Sequence, residues 1–193
     1  MKNTKKSLKK LTETAVMLAL LICLQWVGSQ IPHPLTKQLI SGSLVNCTLA
    51  VTVLLVGLPG GISLAVISPM CAFLLGIAPN FITVAPIMLG NSLYVLLLWL
   101  LGRKGKALWQ QAVALVSASA VKFVTLYALV VKLICGAASG DLLGKKIGSV
   151  VVLAPPMLQM LPVMFSWPQL VTALTGGALA LILMPVLRKA LHK

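Results

Sequence analysis

Apolar runs of about twenty residues follow one another along this chain, and that succession leaves few folds open. A run of that length spans the ~30 Å hydrocarbon core of a bilayer as a helix. Inside lipid, every backbone N–H and C=O must bond within the segment or to a closed neighbour, so only helices and closed barrels survive there. The strict alternation of a membrane barrel strand is absent. The runs are expected as six spans, over Leu11–Gly28, Leu39–Leu58, Ile62–Ile77, Asn80–Leu101, Ala107–Cys135 and Pro168–Leu191. Proline and glycine punctuate them: Pro32 and Pro34 in a loop with His33 and Lys37, Pro59-Gly60-Gly61 as a tight turn, Pro69 inside the third span, and Pro79-Asn80 opening the fourth. Composition agrees. Charged residues make up 9% of the chain, against roughly a quarter in soluble domains, and the mean hydropathy is +1.04. The expected fold class is an all-α membrane protein, with residues 1–193 forming a single integral membrane domain.

A net charge of +14 in a soluble protein would suggest nucleic acid. Here the placement of the charges argues for a lipid bilayer and no nucleic acid. Lys2, Lys5, Lys6, Lys9 and Lys10 precede the first run. Arg103, Lys104 and Lys106 form a loop cluster, and Arg188, Lys189 and Lys193 close the chain, so eleven of sixteen basic residues sit in three clusters. Basic clusters stay cytoplasmic, so an even number of spans must separate each pair. Six spans satisfy this, with four between the first two clusters and two between the last two. Both termini are expected in the cytoplasm.

Two segments need separate treatment. The stretch 136–167 begins polar and turns apolar from Ile147 to Phe165. A seventh span there conflicts with Pro155, Pro156 and Pro162, each of which removes a backbone donor that lipid cannot replace. It would also put the basic end outside. We expect instead an external lid between the fifth and sixth spans, carrying a short helix over Met157–Phe165. The start of the chain has the outline of a signal peptide, with a basic stretch, an apolar core over Ala15–Leu24, and then Gly28 and Ser29. We read it as a retained first helix.

Lys122 lies in the middle of the fifth run. An ammonium at membrane depth costs at least ~3 kcal/mol on the insertion scale unless something pairs with it. The chain contains two acidic residues, Glu13 and Asp141, both near expected membrane ends. Lys122 therefore snorkels out, bonds backbone carbonyls, or meets a ligand. Ser119 and Thr125 share its helical face. On the fourth span Asn80, Thr83, Ile87, Asn91 and Tyr94 recur at helical spacing, and Asn91 falls roughly 16 Å below the outer end at 1.5 Å per residue. On the sixth, Gln169 and Thr172 stand in the first external turn above Gly176 and Gly177, beside Trp167 at the interface. These faces can converge under the lid. The plainer readings are interhelical hydrogen bonds for the Asn and Thr residues and an interface anchor for Trp167.

Several chemistries are excluded by what is absent. The sequence holds no P-loop, no HExxH, no acidic cluster and no nucleophile–base pair, so an enzyme or self-contained ATPase lacks its groups. Cys23, Cys47, Cys71 and Cys135 form no CxxC and read as small packing residues. No catalytic, cofactor-binding or metal-binding residue is assigned. On the first span, Ala15 and Ala19 form a small-xxx-small pair that lets another helix approach closely.

Ala15 and Ala19 in the first of six spans, together with Met88-Leu-Gly-Asn-Ser-Leu-Tyr94, Ala120-Val-Lys-Phe123 and Phe165-Ser-Trp-Pro-Gln-Leu-Val-Thr-Ala-Leu-Thr-Gly-Gly177, resemble the vitamin-type substrate-binding S components of energy-coupling factor (ECF) transporters. The resemblance covers essentially the whole chain. It implies a multi-pass protein of the bacterial plasma membrane that captures a vitamin-like small molecule. It implies partners as well: a transmembrane T component and two cytoplasmic ATPases, which use the ATP. Ala15 and Ala19 would contact the T component, and Asn80, Asn91, Lys122, Trp167 and Gln169 would hold substrate. Sparse aromatic residues in the loops argue against flavin or thiamine, and Lys122 favours a small anion such as pantothenate or nicotinate. The competing expectations are a self-sufficient carrier or channel, and a structural or assembly protein without a ligand.

Overall fold

The computed structural model describes residues 2–78, 80–102, 108–147 and 150–191, excepting the side chains at 2, 3, 108, 147 and 150. The basic loop of Arg103, Lys104 and Lys106, the helix-opening Pro79, and Lys193 fall outside the described residues.

Helix α1 covers Lys2–Ser29, longer than the apolar run because lysine is a good helix former and nothing breaks the chain before Gly28. Helix α2 covers Pro34–Leu55 and starts five residues before the expected Leu39. The reason is local. His33 Nδ1 accepts from the Thr36 backbone N–H at 3.4 Å, and Pro34 occupies the first turn, where its missing N–H costs nothing. Lys37 thus moves from the expected loop into the first turn of a helix.

The expected turn at Pro59-Gly60-Gly61 is corrected. Those residues begin α3, Leu58–Leu74, and the chain reverses at Val56-Gly57, where Gly57 takes φ 114°, a region that favours glycine. Gly60 and Gly61 serve packing instead. A Cβ on them would stand 2.8 Å from Thr14 Oγ1 and 2.7 Å from Val95 Cγ1 respectively.

Helix α4 covers Val84–Leu97, opened by a 3₁₀ turn at Phe81–Thr83 and closed by a π-helical turn at Leu98–Gly102. Helix α5 covers Leu108–Leu126 and continues as a π-helix through Tyr127–Ala137. The segment read as a lid holds a short α6 at Ser139–Leu142, a two-residue antiparallel ribbon pairing β1 (Lys146–Ile147) with β2 (Val150–Val151), and α7 at Pro155–Met164. The ribbon was not expected. It leaves the all-α class intact. Helix α8 covers Trp167–Ala190. Five of these stretches are long and apolar enough to cross a membrane, and α3 is a shorter apolar helix of 17 residues.

Lys10 of α1, Arg188 of α8, the α2–α3 turn and Trp99 surround one hollow. The basic start and the basic end therefore meet at one end of the bundle, as charge placement requires. Two apolar clusters fill the interior. One joins Leu21, Leu49, Leu64, Tyr94, Val95, Leu98, Leu115 and Ala180 toward the basic end. The other joins Leu126, Val130, Leu153, Leu161 and Phe165 and glues α7 to the far end of α5. Between them along α2, α4, α5 and α8 lies a buried polar layer of Asn46, Asn91, Lys122 and Thr172.

Candidate functional site

The polar layer is built around the ammonium of Lys122, which is 3% exposed. Its Nζ donates to Asn46 Oδ1 at 2.5 Å and to Asn91 Oδ1 at 2.7 Å, and it stands 5.5 Å from the Tyr94 ring centroid, within cation–π range. The side chain stays buried rather than snorkelling, and among the described residues it bonds no backbone carbonyl. Both partners are amide oxygens, so the positive charge is solvated but not neutralised. An ammonium has three donors, and these two bonds use two of them.

Further hydrogen bonds fix this geometry. Asn46 Nδ2 donates to Gly42 O at 2.9 Å and to Thr172 Oγ1 at 3.4 Å, which turns Oδ1 toward Lys122. Tyr94 Oη donates to Ala173 O at 3.2 Å, holding the ring in place. Helices α2 and α8 approach closely here because Gly42 and Gly176 lack side chains: a Cβ on Gly42 would stand 2.9 Å from Thr172 Cγ2.

Beside the ammonium lies a cavity of about 160 Å³. Its polar lining comes from Lys122, Asn46, Asn91 and Gln169 together with Gln25, Lys37, Gln38 and Ser41. Pro69, Ala72, Ile77, Ile87, Met164 and Phe165 supply apolar wall. Such a site accommodates a small molecule with an apolar body and an anionic head.

Of the eight residues picked from sequence for the ligand, Lys122, Asn91 and Gln169 line the cavity. Gln169 is held by its Nε2 donating to Met164 O at 3.2 Å. Asn80 and Thr83 are not among the lining residues. Asn80 Nδ2 donates to Val152 O at 2.5 Å and contacts Met157 Sδ at 3.0 Å, and Thr83 Oγ1 donates to Asn80 O at 2.7 Å. These bonds tie the start of α4 to Val152, just after the ribbon, and to α7. Ser119 is fully buried with an unpartnered hydroxyl and is not among the cavity-lining residues. Thr125 is half-buried and Trp167 is 51% exposed, and neither is in the lining.

Asn46 was missed. Sequence reading weighed the polar faces of the last three long spans only, yet an Asn in the middle of an apolar run, one turn after Gly42, carries the same signal as Asn91. Gln25, Lys37 and Ser41 were missed for a different reason: nothing in the sequence places the α1–α2 hairpin beside Lys122.

The chain matches the family model described as ECF transporter, substrate-specific component, over residues 9–188. The chain belongs to this family. Comparison with curated proteins and with solved structures returns no match. As an S component it is the substrate-specific subunit of an ECF importer, a multi-pass membrane protein that works with a T component and ATPases and is a transporter subunit rather than an enzyme. Ala15 and Ala19 of this S component lie exposed on α1, the helix with the smallest buried share among its long apolar segments, 11%.

Proposed function

We propose that this S component captures a small anionic micronutrient of vitamin type in the cavity beside Lys122. The carrying observation is a buried ammonium that donates to two amide oxygens, and to no carboxylate among the described residues, beside a hollow of about 160 Å³. A carboxylate there gains a charge-assisted hydrogen bond in a low-dielectric setting. The volume lies below the roughly 300–1,000 Å³ of drug-sized sites, which favours acids the size of nicotinate or pantothenate. Apolar walls exclude water from the body of the ligand, and Gln169 and Asn91 orient its head. By the positive-inside rule the basic end faces the cytoplasm of a bacterial plasma membrane and the cavity opens outward under α7.

Protein purified in mild detergent is expected to carry a small carboxylic acid, detected by native mass spectrometry. A neutral or cationic co-purifying molecule would defeat the assignment of charge.

Lys37 adds a second expectation. It lines the same cavity from the first turn of α2, where a cation opposes the helix dipole. Placed there it enriches anions at the mouth. Lys37→Gln is expected to slow association of nicotinate or pantothenate several-fold at low salt, with the difference shrinking at high salt, as read by stopped-flow fluorescence. Equal rates at both salt levels would remove Lys37 from capture.

Docking to the T component is assigned to the exposed small face of α1. Ala15→Trp is expected to abolish co-purification with a T component while leaving the unfolding temperature and ligand binding unchanged. Assembly at wild-type yield would place the docking face elsewhere.

A further inference from the structure

The base of the cavity is hydrogen-bonded in full view: Lys122 to Asn46 and Asn91, Asn46 to Gly42 and Thr172, Gln169 to Met164. Two other polar groups on lining residues are not. Gln25 Oε1 on α1 and Ser41 Oγ on α2 are buried and have no hydrogen-bond partner, and both residues line the cavity. Buried polar atoms are paired in the great majority of cases, so two orphans on one wall of one cavity need a reason. Gln25 shares a helix face with Gly28, three residues on, and the space a Cβ on Gly28 would take is filled by Ser41 Oγ. The two polar groups thus lie along one contact between α1 and α2. A carbonyl oxygen only accepts, whereas a hydroxyl donates or accepts. One χ1 step turns a serine hydroxyl from one staggered position to the next, here from Gly28 toward the cavity that Ser41 already borders.

We infer that this α1–α2 wall binds a hydrogen-bond donor of the captured molecule, so that the ligand is a small carboxylate carrying a hydroxyl or amide N–H, not a plain aromatic acid. The inference rests on the capture of an anion by Lys122. The carboxylate meets Lys122 at the base, and the ligand's O–H or N–H donates to Gln25 Oε1 while Ser41 accepts or donates beside it. The apolar middle of the ligand lies against Ile87 and Phe165, which supply apolar lining to the same cavity.

Pantothenate and nicotinate separate the possibilities. Both are monoanions, but pantothenate has hydroxyl and amide donors and nicotinate has neither. Binding of each acid to the full chain in lipid nanodiscs is measured by calorimetry, for the wild type, the double variant Gln25→Leu/Ser41→Ala, and Lys122→Met. The wild type is expected to prefer pantothenate by about tenfold or more, the scale of leaving a buried partner unpaired. The double variant is expected to lose that preference while its nicotinate affinity stays within about twofold. Its unfolding temperature is expected to hold or rise, because it removes orphaned groups. A preference for nicotinate, or an equal loss for both acids in a folded double variant, overturns the donor wall and leaves the anion reading to Lys122→Met. Pantothenate binding that survives Lys122→Met but falls in the double variant overturns the anion reading and keeps the wall. A wild type that binds neither acid overturns the inference.

Discussion

Replacing Lys122 with methionine is expected to abolish high-affinity capture of a small carboxylate while leaving the protein folded. Methionine keeps the length and most of the volume of lysine and removes the charge. Truncating one partner of a buried, hydrogen-bonded charge pair costs ~2–5 kcal/mol of binding, a loss of about thirtyfold to several-thousandfold. Stability responds differently. The variant gives up two bonds to Asn46 and Asn91 and leaves their oxygens short of a donor. It also removes an ammonium from a site where burial penalises charge. Replacing buried ionic groups by apolar ones of like volume is often neutral or stabilising, which offsets the donor the two oxygens lose. Calorimetric titration beside a thermal unfolding curve separates the two effects. Unchanged affinity in a folded Lys122→Met protein would remove Lys122 from ligand recognition and leave it a structural knot among three helices.

Gly176→Val is expected to produce the largest loss of stability among single substitutions at the helix contacts. A Cβ at this position overlaps the Ser43 carbonyl oxygen and stands 2.7 Å from Asn46 Cβ and 2.8 Å from Cys47 N. Two of those three atoms are backbone of α2, which cannot swing aside as a side chain can. Helices α2 and α8 must separate, and α2 carries Asn46 with it. Overpacking of this kind costs about 3 kcal/mol, or roughly 6–12 °C in unfolding temperature for a chain of this length. Binding should weaken with it, since Asn46 leaves Lys122. Gly140→Val is the matched control, because nothing lies within 4 Å of a Cβ there. An unfolding temperature for Gly176→Val equal to that of Gly140→Val would show that the two helices part without cost.

Spans and class were legible because they depend on short-range physics. Six apolar runs bounded by proline, glycine and basic residues specify helices in lipid whatever their arrangement. The errors at boundaries share a cause. Pro59-Gly60-Gly61 has turn composition, yet proline fits the first turn of a helix and the glycines answer to Thr14 and Val95 on other helices. His33 caps α2 through a ring nitrogen, which composition does not announce. In the candidate site, Lys122 and Asn91 stood out because polar groups at membrane depth are costly wherever they fall. Asn80 and Thr83 stood out for the same reason, yet Asn80 bonds Val152 and Met157 of α7 and Thr83 bonds Asn80.

Sequence alone pointed to a bundle of apolar helices, to a basic start and a basic end on one side, and to a lone ammonium deep in an acid-poor chain. Each of those depends on residue type and spacing along one segment. Tertiary structure decided what the ammonium touches: Asn46 is 76 residues away in the chain and Asn91 31 away, and glycines that let α2 and α8 close to backbone contact set where Asn46 stands. It also decided that α1 and α2 contribute a wall to the cavity. Which helix faces which is set by side-chain packing between segments distant in sequence, and no single segment encodes it.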